Sequence, residues 1–237
     1  MYKNKRIIAV IPARGGSKTL PRKNILPIDE KPLIYYSIKH ALESEYLDKT
    51  IVSTEDAEIK SISEQFGAGV LIRPPELATD KAPTIGVLYH VLDHFEKKKE
   101  FFDILVLLEP TSPLRKKGDI DRAIELFVKN YNKADALVSL GEIALEKPHI
   151  AKIIKGGFVV PFVKVKEKIT HRQQLEKTFF PYGVIYLSKT SALKKTGTFY
   201  QKRTIPYLIE RWQNYEVDDL YDFIAIEAIL KHERDKL

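Results

Sequence analysis

Cysteine is absent from this 237-residue chain, and methionine and tryptophan occur once each. Without cysteine the chain has no disulfide framework, no thiolate metal ligand and no cysteine nucleophile. Long hydrophobic runs are absent as well: no apolar stretch approaches the roughly 20 residues that cross a bilayer, and the first apolar run meets Arg14 too early for a signal peptide. We therefore expect a cytoplasmic protein with no membrane partner.

Positive charge is present but is not gathered in one segment. The 39 lysine and arginine residues exceed the 32 aspartate and glutamate residues and give a formal net charge of +7. The runs EKKKE and RKKGD interleave with acids or adjoin them, as at helix ends and turns. No RNP-like aromatic motif, helix-turn-helix signal or basic tail accompanies the charge. We interpret it as solvated faces and expect no nucleic-acid partner.

Hydrophobic periodicity indicates strands and helices in alternation up to about residue 140. Apolar runs predict strands at 6–11, 50–53, 70–72, 104–108 and 136–140. Amphipathic segments between them predict four helices, PLIYYSIKHALES, DAEIKSISEQFG, TIGVLYHVLDHF and DIDRAIELFVKN. This alternation favours an α/β fold with a doubly wound, mostly parallel sheet, whose ligands bind at the carboxyl ends of the strands.

The pattern changes after residue 140. The segment HIAKIIKGGFVVPFVKV predicts two strands about a Gly-Gly turn, with no crossover helix after it. A strand, GVIYLS, and a long amphipathic helix then complete the chain. We predict an α/β domain formed by residues 1–140 and 181–237, with an inserted β-hairpin arm at 141–180. On the pattern alone, such a hairpin is either a lid or a dimer arm.

A basic, glycine-containing loop, ARGGSKTLPRKN, follows the first predicted strand. Gly15 and Gly16 let the backbone bend and approach a ligand closely. Four cations surround them, namely Arg14, Lys18, Arg22 and Lys23. The spacing matches neither a P-loop nor a dinucleotide-binding motif. The loop is therefore compatible with a phosphate cradle or with a solvated turn.

Polar residues also follow the next three predicted strands, in STED, RPPELATD and EPTSPLR. Each is an ordinary turn sequence alone, but all fall at the sheet edge where ligands bind. Near the C-terminus, EVDD places Glu216 and Asp218 two residues apart. In an extended segment both carboxylates project to the same side and could share a hard cation. Asp218 and Asp219 equally suit the start of a helix.

Six segments, in this order and spacing, resemble the acylneuraminate cytidylyltransferases: IPARGGSKTLPRKN, STED, IRPPELATD, LLEPTSPLR, FFPYGVIYL and YEVDD. The resemblance extends from residue 7 to about residue 219. It implies a nucleotidyltransferase that joins CTP to a nine-carbon ulosonic acid of the sialic or legionaminic type. CMP would be left on the anomeric oxygen and pyrophosphate released.

The resemblance also implies residue roles. Phosphate-binding residues would be Arg14, Ser17, Lys18, Lys23 and Asn24, and cytidine-binding residues would be Arg73, Ala82 and Thr84. Mg²⁺ would be the cofactor, held by Asp218 and Glu216. The catalytic groups would be Lys23, Arg14 and Asp218. Residues approaching the sugar would be Glu109, Arg172, Tyr186 and Phe199. The hairpin would be a homodimer arm that carries Arg172 and Lys152 toward the partner's site.

Four residues depart from the pattern usual in that family. Thr19 replaces a glycine, Glu109 a common glutamine and Glu216 a common aspartate, and Tyr182 stands where a smaller polar residue is frequent. Glu109 and Tyr182 fall where the sugar would lie, so they bear on which sugar is used. The alternative enzyme is a sugar-1-phosphate nucleotidyltransferase of the same fold, whose first loop is a longer glycine-rich turn without PRKN.

Overall fold

The computed structural model describes residues 1–144, 146–163 and 176–236. Its strands are β1 (Ile7–Pro12), β2 (Pro27–Ile28), β3 (Lys31–Pro32), β4 (Lys49–Thr54), β5 (Gly69–Ile72), β6 (Ile104–Leu107), β7 (Ala136–Glu142), β8 (Lys152–Lys155), β9 (Phe158–Pro161), β10 (Phe179–Lys189) and β11 (Thr204–Leu208). Its α-helices are α1 (Leu33–Leu42), α2 (Ala57–Gln65), α3 (Thr84–Lys97), α4 (Asp119–Lys129), α5 (Thr190–Thr196) and α6 (Leu220–His232). None of the helices in these ranges combines the length and apolar character needed to cross a bilayer.

The main sheet has seven strands in the order β11-β7-β10-β6-β1-β4-β5. β1 lies inside the sheet and pairs in parallel with β4 and β6, and β4 pairs in parallel with β5. β10 is antiparallel to β6 and β7, whereas β11 joins β7 in parallel. The predicted mostly parallel sheet is confirmed. The amino end of β10 reaches the edge where β1, β4, β5 and β6 have their carboxyl ends.

Different helices cover the two faces of the sheet. In β1, Ile7, Ala9 and Ile11 pack on one face with α1, α2 and α4. Ile8 and Val10 pack on the other face with α3 and α5. Burial on both sides explains why β1 is a continuous apolar run rather than an alternating one. The predicted doubly wound architecture is therefore confirmed.

A third apolar cluster holds the last helix beside the basic loop. Val217, together with Ile226 from α6, packs in one cluster with Ile28, which follows the loop. Asp219 caps α6, because its side chain accepts hydrogen bonds from two backbone N–H groups of the first turn. The packing and the cap together fix the extended segment that carries Asp218 next to the basic loop.

The predicted pair of strands about Gly156 and Gly157 is present as the separate antiparallel hairpin of β8 and β9. Both glycines have positive φ, as a tight hairpin turn requires. Its apolar side chains are open to solvent, with Ile154 82% and Phe158 75% exposed. Its role as a dimerisation arm and the division into 1–140 with 181–237 and 141–180 stay predictions.

Strand β11 was not predicted from the sequence. Its residues TIPYL contain Pro206, and a proline argues against a central strand because it has no N–H to donate. β11 is an edge strand with β7 as its neighbour in the sheet, so the missing donor is tolerated there.

Candidate active site

A cleft of about 320 Å³ opens at the edge of the sheet where the parallel strands end. Three loops, those after β1, β5 and β6, form its walls together with the first turn of α3. The lining residues are Pro12, Arg14, Gly16, Ser17, Lys23, Asn24, Arg73, Leu77, Thr79, Asp80, Ala82, Thr84, Val87, Glu109, Pro110 and Thr111. Three of the four loops expected at this edge therefore line one cleft, whereas the STED loop after β4 contacts the basic loop without lining the cleft.

Seven of the eight residues predicted to bind the nucleotide line this cleft: Arg14, Ser17, Lys23, Asn24, Arg73, Ala82 and Thr84. The eighth, Lys18, does not line it, but its Nζ lies 2.8 Å from Oδ2 of the lining residue Asp80. The structure thus brings the predicted set together around one space. The role of each residue in binding stays a prediction.

The loop after β1 is held in shape by hydrogen bonds to its backbone. Gly15 donates its backbone N–H to Oε1 of Glu55 at 2.7 Å. Asn24 donates from Nδ2 to the carbonyl oxygen of Arg14 at 2.8 Å, which closes the loop on itself. A Cβ at position 15 would clash with the Asp56 carboxylate, so the close approach requires glycine. The loop is therefore a preorganised surface rather than a loose turn.

Two arginines near the cleft, Arg73 and Arg22, form ion pairs that hold the loop after β1 in place. Buried Arg73 donates from Nε to Oε2 of Glu55 at 2.9 Å, and that carboxylate also holds Gly15. Arg22 pairs with Asp56 and Glu58 and is not among the residues that line the cleft. Its guanidinium, with the N-terminal amides of α2, holds the pKa of Asp56 at about 2. Arg22 therefore anchors the loop to α2.

Lys23 reaches the segment that precedes α6. Its Nζ donates to the carbonyl oxygen of Val217 at 2.7 Å and lies 3.5 Å from Oδ1 of Asp218. The Lys23 side chain is only 15% exposed, whereas that of Asp218 is 82% exposed. A shielded cation that lines the cleft thus faces an exposed carboxylate, Asp218, which is not itself among the lining residues. This arrangement suits a site where a second anion and a second cation enter together.

A second cavity, of about 260 Å³, adjoins the first, and Thr84 and Glu109 line both. Its other lining residues are Ile85, Leu88, Leu107, Tyr186, Gly197, Thr198, Phe199 and Tyr200. The rings of Tyr186 and Phe199 lie 5.5 Å apart between centroids. Three of the four residues predicted to approach the sugar, Glu109, Tyr186 and Phe199, therefore meet here. The fourth, Arg172, lies outside the described residues.

Glu109 lies at the junction of the two cavities. Burial, followed by the negative charges of Glu216 and Asp218, raises the pKa of Glu109 to about 7, although Arg115 and Lys23 oppose the shift. A Cβ on Gly183 would clash with the carboxylate of Glu109, so glycine at 183 gives this side chain its space.

The predicted metal ligands, Glu216 and Asp218, flank Val217 in the sequence. The carbonyl oxygen of Val217 is the group that accepts the hydrogen bond from Lys23. Oε1 of Glu216 accepts hydrogen bonds from Oγ of Ser112 at 3.0 Å and from the backbone N–H of Gly183. Within the described ranges, no three acidic, histidine or cysteine side chains are grouped to hold a metal by themselves. Mg²⁺ commonly takes one or two carboxylates and completes its shell with water and substrate phosphates. Glu216 and Asp218 would supply the two carboxylates of that mode. Their negative charges lie close enough to Glu109 to raise its pKa.

Several site residues were missed by sequence reasoning. Asp80 pairs with Arg14 and Lys18, Glu55 braces the basic loop, and Ser112 orients Glu216. Asp80, Glu55 and Ser112 all belong to segments that the resemblance includes, RPPELATD, STED and EPTSPLR. Their position in those segments was the available signal. Their partners, however, lie far away in the chain and are visible only after folding.

A doubly wound sheet with polar loops and a cleft at its carboxyl edge is the architecture of nucleotide-binding α/β proteins. Comparison of the sequence with known protein families shows which of these nucleotide-binding proteins the chain is related to. The family model described as "Cytidylyltransferase" matches residues 8–234, and the chain belongs to that family. The family resemblance seen in the motifs is confirmed.

Two curated relatives illustrate the similarity. The N-acylneuraminate cytidylyltransferase of Escherichia coli O18:K1:H7 is 33% identical over 98% of this chain and 54% of its own length. The CMP-N,N'-diacetyllegionaminic acid synthase of Legionella pneumophila is 32% identical over 98% of this chain and 99% of its own length. The chain thus spans about half the length of the Escherichia coli relative and nearly all of the Legionella one.

A solved structure shares the fold. It is a CMP:2-keto-3-deoxy-manno-octonic acid synthetase complexed with CTP, with a TM-score of 0.70 and 17% identity, and the match covers 96% of this chain and 99% of that one. At this identity the likeness concerns the fold alone. It supports the mostly parallel sheet independently of the motifs.

The raised pKa of Glu109 predicts a pH dependence of stability in the absence of substrates and metal. Between about pH 4.5 and pH 7 the folded protein keeps a proton on Glu109 that the unfolded chain releases. The contribution of Glu109 to the free energy of unfolding is therefore fully present below pH 4.5 and is lost as the pH rises through 7. Relative to Glu109→Gln, the wild type should lose up to about 3 kcal/mol of unfolding free energy across this window.

Denaturant unfolding of both proteins in EDTA at pH 4.5, 6 and 8 measures this difference. The amide introduced by Glu109→Gln keeps the size of the side chain but does not titrate, so the variant serves as the reference. Parallel stability curves for the two proteins would show that Glu109 is ionised in the folded state and would contradict the expectation.

Proposed function

We propose that this chain transfers CMP from CTP to the anomeric hydroxyl of a nine-carbon ulosonic acid and releases pyrophosphate. The observation that carries the proposal is a pair of adjoining cavities that share Thr84 and Glu109, one lined by cations and the other by aromatic and aliphatic side chains. A triphosphate matches the first and a sugar edge matches the second. Family membership and the curated relatives support the same reaction. A cytoplasmic location remains a prediction from the sequence.

The nucleotide half supplies charge neutralisation. When the anomeric oxygen attacks the α-phosphorus, its proton passes to solvent, the bond from this phosphorus to the pyrophosphate oxygen breaks, and negative charge grows on the leaving group. Arg14 and Lys23 line the cleft and Lys18 lies at its rim, so fixed cations are already in place for that charge. We assign Lys23 as the main catalytic cation because its contact with Val217 positions it before substrate arrives.

The base and metal positions follow from the same cleft. Arg73, Ala82 and Thr84 lie along the wall near the start of α3, where we place the cytidine. We assign Mg²⁺ to Asp218 and Glu216, where a bound ion would screen the phosphates from these carboxylates. The chain's own residues orient this pair, since Ser112 and Gly183 hold Glu216.

The sugar half determines the acceptor. Tyr186 and Phe199 offer apolar surface, and Glu109 brings a carboxylate to the junction. Above about pH 7, where Glu109 is ionised, its carboxylate accepts hydrogen bonds from hydroxyl or N–H groups but cannot donate to a carbonyl. We therefore assign Glu109 to sugar selection and propose a legionaminic-type acid as the substrate. Arg172 would read the carboxylate of the acid as a bidentate partner.

The proposed reaction is tested by pyrophosphate release from CTP and Mg²⁺ with a panel of acceptors: N-acetylneuraminic, N,N'-diacetyllegionaminic and pseudaminic acids, Kdo and hexose 1-phosphates. Turnover is expected with one or more nine-carbon acids. Turnover with hexose 1-phosphates alone would instead support the sugar-1-phosphate nucleotidyltransferase.

Glu109→Gln, which restores a donor at constant size, should change the ratio of kcat/KM between two acids by about tenfold, at little change in the KM for CTP. Equal loss for every acid would remove Glu109 from sugar selection.

Asp218→Asn should raise the magnesium concentration needed for half-maximal rate, because an amide binds the hard cation more weakly than a carboxylate. Its side chain is exposed and α6 is capped by Asp219, so the fold should be retained. The measurement is a magnesium titration of the rate at saturating CTP. Asp93→Asn, an exposed carboxylate paired with Lys194, is the charge-matched control. An unchanged titration for Asp218→Asn would leave this residue without a metal role.

We further propose that the chain is a homodimer joined through the β8–β9 hairpin. Ile154 and Phe158 are exposed there, and apolar groups on a projecting hairpin need a partner surface. If Arg172 completes the partner's site, Lys23→Ala and Arg172→Ala subunits complement each other. Lys23→Ala alone should lower kcat by about 10²- to 10³-fold.

In the complementation experiment the two inactive variants are mixed after partial unfolding and refolding. Half of the dimers would then be hybrids with one intact site, so activity should approach about a quarter of the wild-type value. Light scattering gives the mass of each sample. A monomeric mass, or dimers without any recovery of activity, would contradict the shared site.

A further inference from the structure

Asp80 places a carboxylate inside the cationic half of the cleft. It lies in the loop between the short helix Pro75–Leu77 and α3, and it lines the cavity. Its Oδ1 accepts a hydrogen bond from Nη1 of Arg14 at 2.6 Å, and its Oδ2 lies 2.8 Å from Nζ of Lys18. Both cations are assigned to phosphate. One carboxylate therefore spans the two groups that a phosphate would contact.

The contacts of Asp80 differ from those of the other carboxylates around the basic loop. Glu55 and Asp56 bind backbone N–H groups, of Gly15 and of the first turn of α2, as well as the guanidinium groups of Arg73 and Arg22, and neither carboxylate lines the cleft. They therefore maintain the shape of the loop. In the part of the chain that the structure describes, the side-chain partners of Asp80 are Arg14 and Lys18. Asp80 thus pairs with one cation that lines the cleft, Arg14, and with one beside it, Lys18, both assigned to phosphate.

The geometry makes this contact exchangeable. The Asp80 side chain is 41% exposed and that of Lys18 is 77% exposed. Ion pairs at such exposure contribute little to stability and break easily. The two cations also hold the pKa of Asp80 below its usual range, Lys18 more than Arg14, so the group is anionic at neutral pH. A polyphosphate with several charges can replace it.

We propose that Asp80 is a built-in competitor of the nucleotide phosphates for Arg14 and Lys18, which lowers the affinity for CTP and favours the departure of pyrophosphate. The inference rests on the proposed function, since it needs a triphosphate in this cleft. Without ligand, Asp80 offsets the repulsion between these two like charges by pairing with both of them. After the reaction, it competes from within the same molecule and therefore at high effective concentration.

The test compares direct binding of CTP, inorganic pyrophosphate and cytidine to the wild type and to Asp80→Asn, by calorimetry at fixed Mg²⁺. The variant removes the competing charge at constant size. We expect the Kd for CTP and for pyrophosphate to fall by about two- to fivefold. Cytidine, which has no phosphate, should bind equally to both proteins. Asp93→Asn makes the same change in net charge and should leave all three affinities unchanged, because Asp93 lies about 14 Å along α3 from Thr84.

A second variant separates competition from a change in loop shape. In a Lys18→Met background one of the two contested cations is gone, so the gain from Asp80→Asn should shrink for pyrophosphate and for CTP. Weaker or unchanged pyrophosphate binding by Asp80→Asn would overturn the inference. Failure of the wild type to bind CTP would overturn the proposed function instead, while pyrophosphate binding would still test Asp80 by itself.

Discussion

The guanidinium of Arg115 joins the loop after β6, which carries Glu109, to strand β10, which carries Tyr186. It is completely buried, which is costly for a cation unless every donor finds an acceptor. Its Nε donates to the carbonyl oxygen of Val184 at 2.6 Å, and its Nη2 donates to those of Glu109 at 2.8 Å and Gly183 at 3.1 Å. Burial lowers its pKa only to about 10, so it remains charged at neutral pH. The loop after β6 and the amino end of β10 are therefore fastened to one cation beneath the cavities.

This arrangement divides the site into regions of opposite charge. Arg14 and Lys23 line the nucleotide half, whereas Glu109 lies at the junction, where the negative charges of Glu216 and Asp218 act on it. The ion pairs in the site, Lys23 with Asp218 and Arg14 and Lys18 with Asp80, all use exposed carboxylates, so charges of both signs stay accessible to ligands. A polyphosphate with a divalent cation satisfies both regions at once. The ion pairs within the nucleotide half, including that of Asp80, moderate this affinity when no ligand is bound.

The sequence predicted what local pattern and motif can carry. The apolar run of β1, the alternation of strands and helices and the basic loop all follow from periodicity and residue type, and the structure has them. What the sequence did not predict depends on contacts between distant segments. Arg115 appears in the sequence only as a basic residue after a turn, and its hydrogen bond to Val184 joins residues 69 positions apart. Asp80 and Arg14 are separated by 66 positions, so their pairing could not be inferred from either segment. Arg172 falls outside the described residues, so its place beside the sugar stays a prediction.

Gly183 lies between Glu109, which we propose for sugar selection, and Glu216, which we propose as a metal ligand. Its missing side chain leaves space that the carboxylates of Glu109 and Glu216 both approach, and its backbone N–H binds Glu216. A charge at position 109 therefore acts directly on a proposed metal ligand, as the raised pKa of Glu109 already records. A glutamine at 109 would remove that repulsion and add a donor toward the sugar in one step. Because both effects arise from a single side chain, the proposed roles of Glu109 in sugar selection and of Glu216 in metal binding are coupled at this position.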